Sequence, residues 1–272
     1  MVPGPVPAVP PEDPLAGVLA LPGVAESLEA ARSAVDALLW DRGVREHQAE
    51  VVAESALRGA WANAWFDGAE CGLAELRSGV AVDGSPVGHL LGNTLALHGE
   101  LPGLVGVVGT APAQALARMH ALVAHGFAAD EELGRPRSTA QADDPLRIGG
   151  LPGAEESAQR MATLGLVLVG SRAPGILVAA VAHAELAALR PFGWGSGLVA
   201  RAVVRLVLAQ RGVDPSMLGA PEQGLRASGR PAYVRALRGY AAGTPAGVAG
   251  MVGLVAGAVT AGAREPIGWI AG

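Results

Sequence analysis

The stretch Arg190-Pro191-Phe192-Gly193-Trp194-Gly195-Ser196-Gly197-Leu198-Val199-Ala200-Arg201 decides the fold of this chain. It joins two long apolar segments, residues 174–189 and residues from about 197 to 210, which lack a polar face. A helix that is apolar all round is buried in the core of a protein. The sequence therefore predicts two buried central helices, connected by a glycine-rich turn at the edge of their contact.

The segments around this pair also have helical periodicity. Apolar residues recur three and four positions apart, Ser85-Pro86 is a good helix start and Gly126 a good stop. The predicted helices cover residues 26–42, 45–66, 85–98, 110–126, 155–164, 231–242 and 244–263. Three glycines favour a loop over residues 101–109, and Thr110 is expected to cap the next helix. The prediction is an all-α protein.

The chain is predicted to form a single helical domain, residues 23–272, because no break in composition divides it. Residues 1–22 are rich in proline and contain no basic segment before an apolar run, so we expect a disordered arm rather than a signal peptide. The polar stretch 128–153 is predicted to be a long surface loop. Whether that loop contains a small β-hairpin is left open.

Composition and charge argue against several classes of function. The net charge is −5, and no arginine-dense run is interleaved with aromatic residues, so nucleic-acid binding is not expected. The single Cys71 cannot form an internal disulfide, and the six histidines lack ligand spacing, so no metal is expected. Residues 244–263 are uncharged, but their five glycines favour a closely packed buried helix over a membrane span. We therefore expect a cytoplasmic protein.

The central stretch resembles the signature of the Fic (Fido) family, whose usual pattern is His-x-Phe-x-(Asp/Glu)-Gly-Asn-Gly-Arg-x-x-Arg. Phe192, Gly195, Gly197 and Arg201 match this pattern. The resemblance implies a Fic/Fido-like all-α fold in which the loop joins two central helices. It also implies the transfer of AMP, or of another phosphate-containing group, from a nucleotide to a protein hydroxyl.

Four departures from the signature fall on its polar positions. Arg190 lies where the family has its general-base histidine, and Trp194 replaces the metal-binding acid. Ser196 stands for the asparagine, and Leu198 for the first arginine. A guanidinium, with a pKa above about 12, cannot accept a proton near neutral pH, and an indole offers magnesium no oxygen ligand. The resemblance is therefore to a catalytically degenerate member without a catalytic residue.

A second stretch resembles the inhibitory helix of the same family, whose pattern is (Ser/Thr)-x-x-x-Glu-(Gly/Asn). Asn63, Asp67 and Gly68 have this spacing at the end of a predicted helix upstream of the core. The resemblance implies that the acid pairs with Arg201, the second arginine of the loop. Because an unpaired buried charge is costly, a pair retained after loss of the catalytic groups would be structural. Residues 115–122 also resemble a helix that precedes the loop in the family.

What remains at the loop is an anion site of a general kind. The N–H groups of a glycine turn that opens a helix point outward at the positive end of the helix dipole. Gly195, Ser196 and Gly197 would supply the turn and a hydroxyl, and Arg201 a charge. No cofactor is required, although ATP or another nucleotide would suit this chemistry.

Three functions follow from these observations. The preferred one is a catalytically degenerate Fic-domain protein that binds or regulates an unknown protein partner. The first alternative is a nucleotide-dependent transferase that uses the loop in an unorthodox way. The second is an unrelated helical protein that forms a homo-oligomer through residues 244–263. Whether the chain is an enzyme is left open, but Arg190 and Trp194 predict inactivity as an ordinary Fic nucleotidyltransferase.

Overall fold

A computed structural model describes residue 10 and residues 12–269. Helices occupy most of this part of the chain: α1 (Ala16–Leu19), α2 (Val24–Trp40), α3 (Arg42–Glu46), α4 (Gln48–Phe66), α5 (Leu73–Arg77), α6 (Pro86–Val108), α7 (Pro112–Ala124), α8 (Ala154–Gly170), α9 (Gly175–Leu189), α10 (Ser196–Gln210), α11 (Pro221–Ser228), α12 (Arg230–Ala241) and α13 (Pro245–Trp269). No strand occurs among the described residues. The all-α prediction is confirmed, and the hairpin left open for residues 128–153 does not form.

Helices α9 and α10 form the centre of the molecule. Every residue of α9 is buried except Gly175 and Glu185, as expected for a helix without a polar face. The one buried polar residue of α9, His183, donates from Nδ1 to the Ala200 carbonyl at 2.6 Å and lies 3.0 Å from the Tyr233 hydroxyl. Its hydrogen bond joins the two central helices, and burial lowers the His183 pKa to about 4, so the ring stays neutral.

The remaining helices cover the two central ones on different sides. Helices α4, α6, α7 and α11 pack against α10, whereas α2, α8, α12 and α13 pack against α9. The loop between α9 and α10 is thereby placed at one end of the core. Segment 128–153, which contains a 3-10 turn at Asp130–Glu132, lies across that end.

Helix α6 corrects one prediction. The stretch 101–109, expected to be a loop, continues the helix as far as Val108 and includes Pro102. Leu101, Leu104 and Val108 are buried. Burial of a leucine side chain stabilises by about 1.5–3 kcal/mol, more than the about 1 kcal/mol that a helical glycine costs. Thr110 consequently does not cap α7; its hydroxyl donates to the Gly106 carbonyl at the end of α6.

The start of the domain also differs from the prediction. Helix α1 lies inside the stretch 1–22 that was expected to be a disordered arm, and Leu15 is buried against the core. Asp13 accepts hydrogen bonds from Ser171 and from the Arg172 amide. Residues 12–22 are therefore folded because a buried leucine and a carboxylate attach them to the domain. Residues 1–9 and 11 of the predicted arm lie outside the described part of the chain.

Helix α13 is the glycine-rich helix. By length and composition it is the one helix among the described residues that could cross a membrane. Of its most apolar stretch of 18 residues, 44% is buried within the fold. A Cβ at Gly247 would clash with the backbone of Gly239, and one at Gly262 with the backbone of Ala220. Close packing is thus confirmed at these two glycines. Gly250 and Gly257 are exposed instead and have open space around them.

Candidate anion site at the central loop

The loop between α9 and α10 has a backbone shape that glycine makes possible. Gly195 has a φ of 74° and immediately precedes α10, a left-handed conformation that costs glycine little. Arg190 ends α9 with a φ of 44°, in the same region, which is uncommon for a residue with a Cβ. The Ser196 hydroxyl bonds both the amide and the carbonyl of Phe192, at 3.0 and 3.1 Å. The loop is thus a closed turn, and the Ser196 hydroxyl is already engaged.

Arg201 lies in the core at the far side of the loop. Its side chain is 1% exposed and forms an ion pair with Asp67, which is 6% exposed and ends α4. The Arg201 Nε donates to the Asn63 Oδ1 at 2.6 Å. Burial raises the pKa of Asp67, and the neighbouring Arg201 charge opposes that rise. The structure therefore brings together Asp67 and Arg201, the pair that the resemblance implied, and adds Asn63 as a second partner of Arg201.

Asn63 also connects α4 to the start of α10. Its amide nitrogen donates to the Leu198 carbonyl at 3.0 Å and lies 3.3 Å from the His98 Nε2. A Cβ at Gly197 would lie 3.0 Å from an Arg201 Nη atom, so the guanidinium packs against this glycine. Gly68 has a φ of 93°, which terminates α4 directly after Asp67. The end of α4 is thus fixed to α10 through one amide and one carboxylate.

A carboxylate of segment 128–153 lies at the N-terminus of α10. The Gly195 amide donates to Asp143 Oδ2 at 3.2 Å, and the Asp143 amide donates to the Gly193 carbonyl at 2.9 Å. Burial raises the pKa of Asp143 to about 6, assisted by the Asp67 charge and opposed by the Gly195 hydrogen bond, Arg201 and Arg190. The helix N-terminus favours anions. Asp143 is therefore an internal anion at the place where a phosphate would approach.

Arg190 is held by the same segment. Its Nη1 lies 2.9 Å from Asp144 Oδ2, and its Nη2 donates to the carbonyls of Gly149 and Gly150 at 2.6 Å each. Asp144 itself accepts from the Ile148 and Gly149 amides. A guanidinium has only hydrogen-bond donors, and all of these partners are oxygen acceptors. Arg190 therefore offers no lone pair with which to abstract a proton.

Arg137 attaches the start of the segment to the end of α9. Its Nε donates to the Arg190 carbonyl at 2.7 Å, and its Nη2 donates to the Leu189 and Pro152 carbonyls. Its own amide donates to the Pro191 carbonyl at 2.8 Å. The buried Arg137 thus satisfies carbonyls that the end of α9 leaves free.

The space left between the segment and the loop is small. It measures about 20 Å³ and lies among Asp143, Asp144, Arg190, Arg201 and Tyr233. This is room for about one water molecule. In this arrangement the loop therefore has no room beside Arg201 for a nucleotide phosphate.

Trp194 packs away from this space. Its ring stacks on Phe127 with centroids 4.4 Å apart, and its carbonyl accepts from His120 Nε2 at 3.1 Å. His120 Nδ1 accepts from the Gly134 amide, and its ring stacks on Phe192. Burial lowers the His120 pKa to about 4, so this histidine is a neutral support of the loop.

Sequence reasoning missed Asp143, Asp144 and Arg137. The available signal was the pair of adjacent carboxylates inside a polar loop, since Arg190 required an acidic partner if buried. It also missed Glu222 of α11, which lies 2.8 Å from Arg205 Nη2 in a second buried ion pair one turn beyond Arg201. Among the described residues, no group of three or more His, Cys, Asp or Glu side chains could hold a metal ion.

Comparison with known proteins identifies the fold. No family model and no curated protein matches the sequence. A Fic family protein from Desulfovibrio desulfuricans G20 has a similar structure, with a TM-score of 0.73 and 21% identity over 91% of this chain and 75% of that one. Fic-1 from C. elegans gives 0.68 and 20% over 91% and 73%. The chain therefore has the Fic/Fido fold. At these identities the likeness is one of fold, and activity must be argued from the chain's own residues.

Proposed function

We propose that this chain is a catalytically degenerate Fic-domain protein that acts by binding or regulating a protein partner. The observation that carries the proposal is Asp143, whose carboxylate accepts from the Gly195 amide at the N-terminus of α10. A bound phosphate would need that position, and two anions cannot share it without repulsion. Asp143 therefore blocks the anion position at the N-terminus of α10.

The residues at the catalytic positions of the signature support the same proposal. The Arg190 guanidinium donates to the Gly149 and Gly150 carbonyls, and a guanidinium has only donors, so it cannot act as a general base. Trp194 presents an indole stacked on Phe127, and this side chain has no oxygen for a magnesium ion. Loss of a general base alone costs about 10²- to 10⁴-fold in rate. Proton transfer and metal-assisted charge neutralisation are both missing.

One arrangement favours a second candidate, a transferase that uses a nucleotide in an unorthodox way. Arg190, Arg201 and Gly197 border the same small space, and residues 143–146 and 148 line it as well. If this segment moved, two guanidinium groups and a helix N-terminus would face one anion. An anionic ligand would then compete directly with Asp143.

Thermal unfolding with ATP, with and without magnesium, tests the proposal. We expect millimolar ATP to raise the melting temperature by less than about 1 °C, because a ligand stabilises only if it binds the folded state. Incubation with ATP labelled on its α-phosphate should leave both this protein and a lysate unlabelled. A saturable rise in melting temperature, or transfer of the label, would establish the second candidate instead.

A double variant tests the role of the segment. Asp143→Ala with Asp144→Ala removes the internal carboxylates, whereas Asp130→Ala with Glu131→Ala removes two exposed acids from the same segment. We expect ATP to stabilise only the first variant, because its substitutions free the anion position at the N-terminus of α10. No label should be transferred, because the general base and the metal ligand are still absent. An equal effect of ATP on the melting temperatures of the two variants would show that these carboxylates do not block the anion position.

A further inference from the structure

Two tryptophans and two arginines alternate in a stack along one face of α4. Trp61 and Trp65 are four residues apart in this helix, so their side chains lie on the same face. The Arg226 Cζ lies 3.5 Å from the centre of the Trp61 ring and 5.3 Å from that of Trp65. The Arg230 Cζ lies 4.1 Å from the centre of the Trp65 ring. All four residues are partly exposed, and we call them the Trp–Arg surface.

Contacts with the rest of the fold hold this stack in place. Helix α11, which carries Arg226 in its last turn, packs against α4. The Trp61 Nε1 donates to the Cys71 carbonyl at 2.9 Å, and the Arg230 Nη2 donates to the Trp65 carbonyl. A side chain that is already fixed loses little conformational entropy when a ligand binds. The Trp–Arg surface is therefore preorganised.

Arg226 lacks the oxygen partner that comparable arginines have. Each of the other buried or half-buried arginines in the described part of the chain donates to an oxygen atom; these are Arg58, Arg137, Arg160, Arg190, Arg201, Arg205, Arg211 and Arg230. The Arg226 guanidinium has no hydrogen-bond or ion-pair acceptor among the described residues, and its nitrogens are open to solvent. Stacking on an indole uses the face of a guanidinium and leaves the N–H groups at its edge. These donors are available to an acceptor from outside.

The charges near Arg226 leave it uncompensated. Glu70 lies 3.4 Å from the Arg230 Nη1 and forms its ion pair there. Burial raises the pKa of the Cys71 thiol, so this group is neutral at pH 7 and supplies no anion. The Trp–Arg surface therefore carries one unmatched positive charge beside one exposed carboxylate. A single carboxylate complements this charge, whereas a phosphate dianion or a nucleic-acid strand would meet repulsion from Glu70.

We propose that the Trp–Arg surface binds an aspartate or glutamate side chain of a protein partner, with Arg226 as the anchor. The edge of a guanidinium presents two parallel N–H groups, which match the two oxygens of a carboxylate. The rings of Trp61 and Trp65 supply apolar contact area beside it, and tryptophan and arginine are among the residues that most often dominate protein interfaces. The proposal rests on the partner-binding function proposed above and names the chemistry of the partner.

Fluorescence anisotropy with labelled peptides tests the anchor in the full-length chain. The probe is a capped decapeptide of alternating glutamate and proline, and its matched control has glutamine in place of every glutamate. We expect saturable binding of the glutamate peptide with a Kd below about 1 mM, and at least about 10-fold weaker binding of the glutamine peptide. The assay contains no nucleotide, so absence of binding would overturn this proposal and leave the ATP measurement on the loop unaffected.

Substitutions separate the anchor from general charge attraction. Arg226→Gln removes the proposed anchor, whereas Arg235→Gln removes an exposed arginine of α12 that lies outside the stack. The first should weaken binding of the glutamate peptide at least about 10-fold, and the second should change it by less than about 2-fold. Arg226→Lys keeps the charge but lacks the planar fork, and we expect about 3-fold weaker binding or more. Melting temperatures check that the variants fold, and the lysine variant serves as the test if the glutamine variant does not.

Three results would overturn the proposal. The first is equal affinity for the glutamate and glutamine peptides, and the second is an equal loss of affinity in the Arg226→Gln and Arg235→Gln proteins. The third is tighter binding of a single-stranded oligonucleotide of the same length than of the glutamate peptide, which would assign the Trp–Arg surface to a nucleic acid instead.

Discussion

Arg190 at the start of the loop and Arg201 in the second turn of α10 pair with carboxylates in very different surroundings. Arg201 meets Asp67 where both side chains are nearly inaccessible, and both residues belong to helices or their ends. Arg190 meets Asp144, whose side chain is 24% exposed, in a segment without regular structure. The first contact joins α10 to α4, whereas the second holds a loop over the site.

Burial decides what each contact contributes. Removal of one partner from a buried pair leaves an uncompensated charge in a medium of low polarity, and the cost is about 3–5 kcal/mol. A pair near the surface is screened by water and contributes much less. We therefore expect the stability of the fold to depend on the Arg201–Asp67 contact. The position of segment 128–153 over the site should depend on the Arg190–Asp144 contact.

The largest expected effect is that of Asp67→Ala. We expect a loss of about 3–5 kcal/mol in the free energy of unfolding, because Arg201 would remain buried without its carboxylate. Urea unfolding measures the loss, with Asp130→Ala, an exposed acid, as the control. In a double-mutant cycle with Arg201→Ala, the two changes should couple by more than about 1 kcal/mol. Additive effects would show that the two residues do not act as a pair.

A smaller effect is expected for Asp144→Ala. The substitution removes the ion pair with Arg190 and two hydrogen bonds from the Ile148 and Gly149 amides. Because Asp144 is partly exposed and water can replace some of these contacts, the loss should be about 1–2 kcal/mol. The same urea measurement applies. A loss of unfolding free energy as large as that of Asp67→Ala would show that the Arg190–Asp144 contact stabilises the fold as much as the Arg201–Asp67 contact.

The smallest effect is a pH dependence due to Asp143. Its pKa is raised to about 6 in the folded protein, mainly by burial, from an unfolded value near 4. Between these values the folded state binds more protons than the unfolded state, so stability falls as pH rises from about 4 to about 6 and is level above that. A shift of two pKa units corresponds to about 2.7 kcal/mol, but Asp143 is only partly buried and water screens its charge. Asp143→Asn should therefore remove this part of the profile and gain only about 1 kcal/mol on the parent between pH 4 and 7. An unchanged difference between the two proteins across this range would contradict the raised pKa.

The central helices and their connecting turn followed from the sequence, because an apolar run without a polar face has only the core as its place. Burial of Arg201 required an acidic partner, but the choice of Asp67 came from the family resemblance. The loop predicted at residues 101–109 was wrong because burial of Leu101 and Leu104 outweighs local glycine and proline preferences. The acidic partners of Gly195 and Arg190 were missed because they lie about 50 residues away along the chain, in a segment without helical periodicity.

By itself, the sequence predicts which chemistry the loop lacks, since a guanidinium at position 190 accepts no proton near neutral pH and an indole at position 194 has no oxygen for magnesium. It also determined the all-α class, because helical periodicity is a local property. Only the tertiary structure decided that Asp143 lies at the N-terminus of α10 and that Asp144, Gly149 and Gly150 hold Arg190. Both depend on which distant segments meet at one place, and that is set by packing of the whole core rather than by any local pattern.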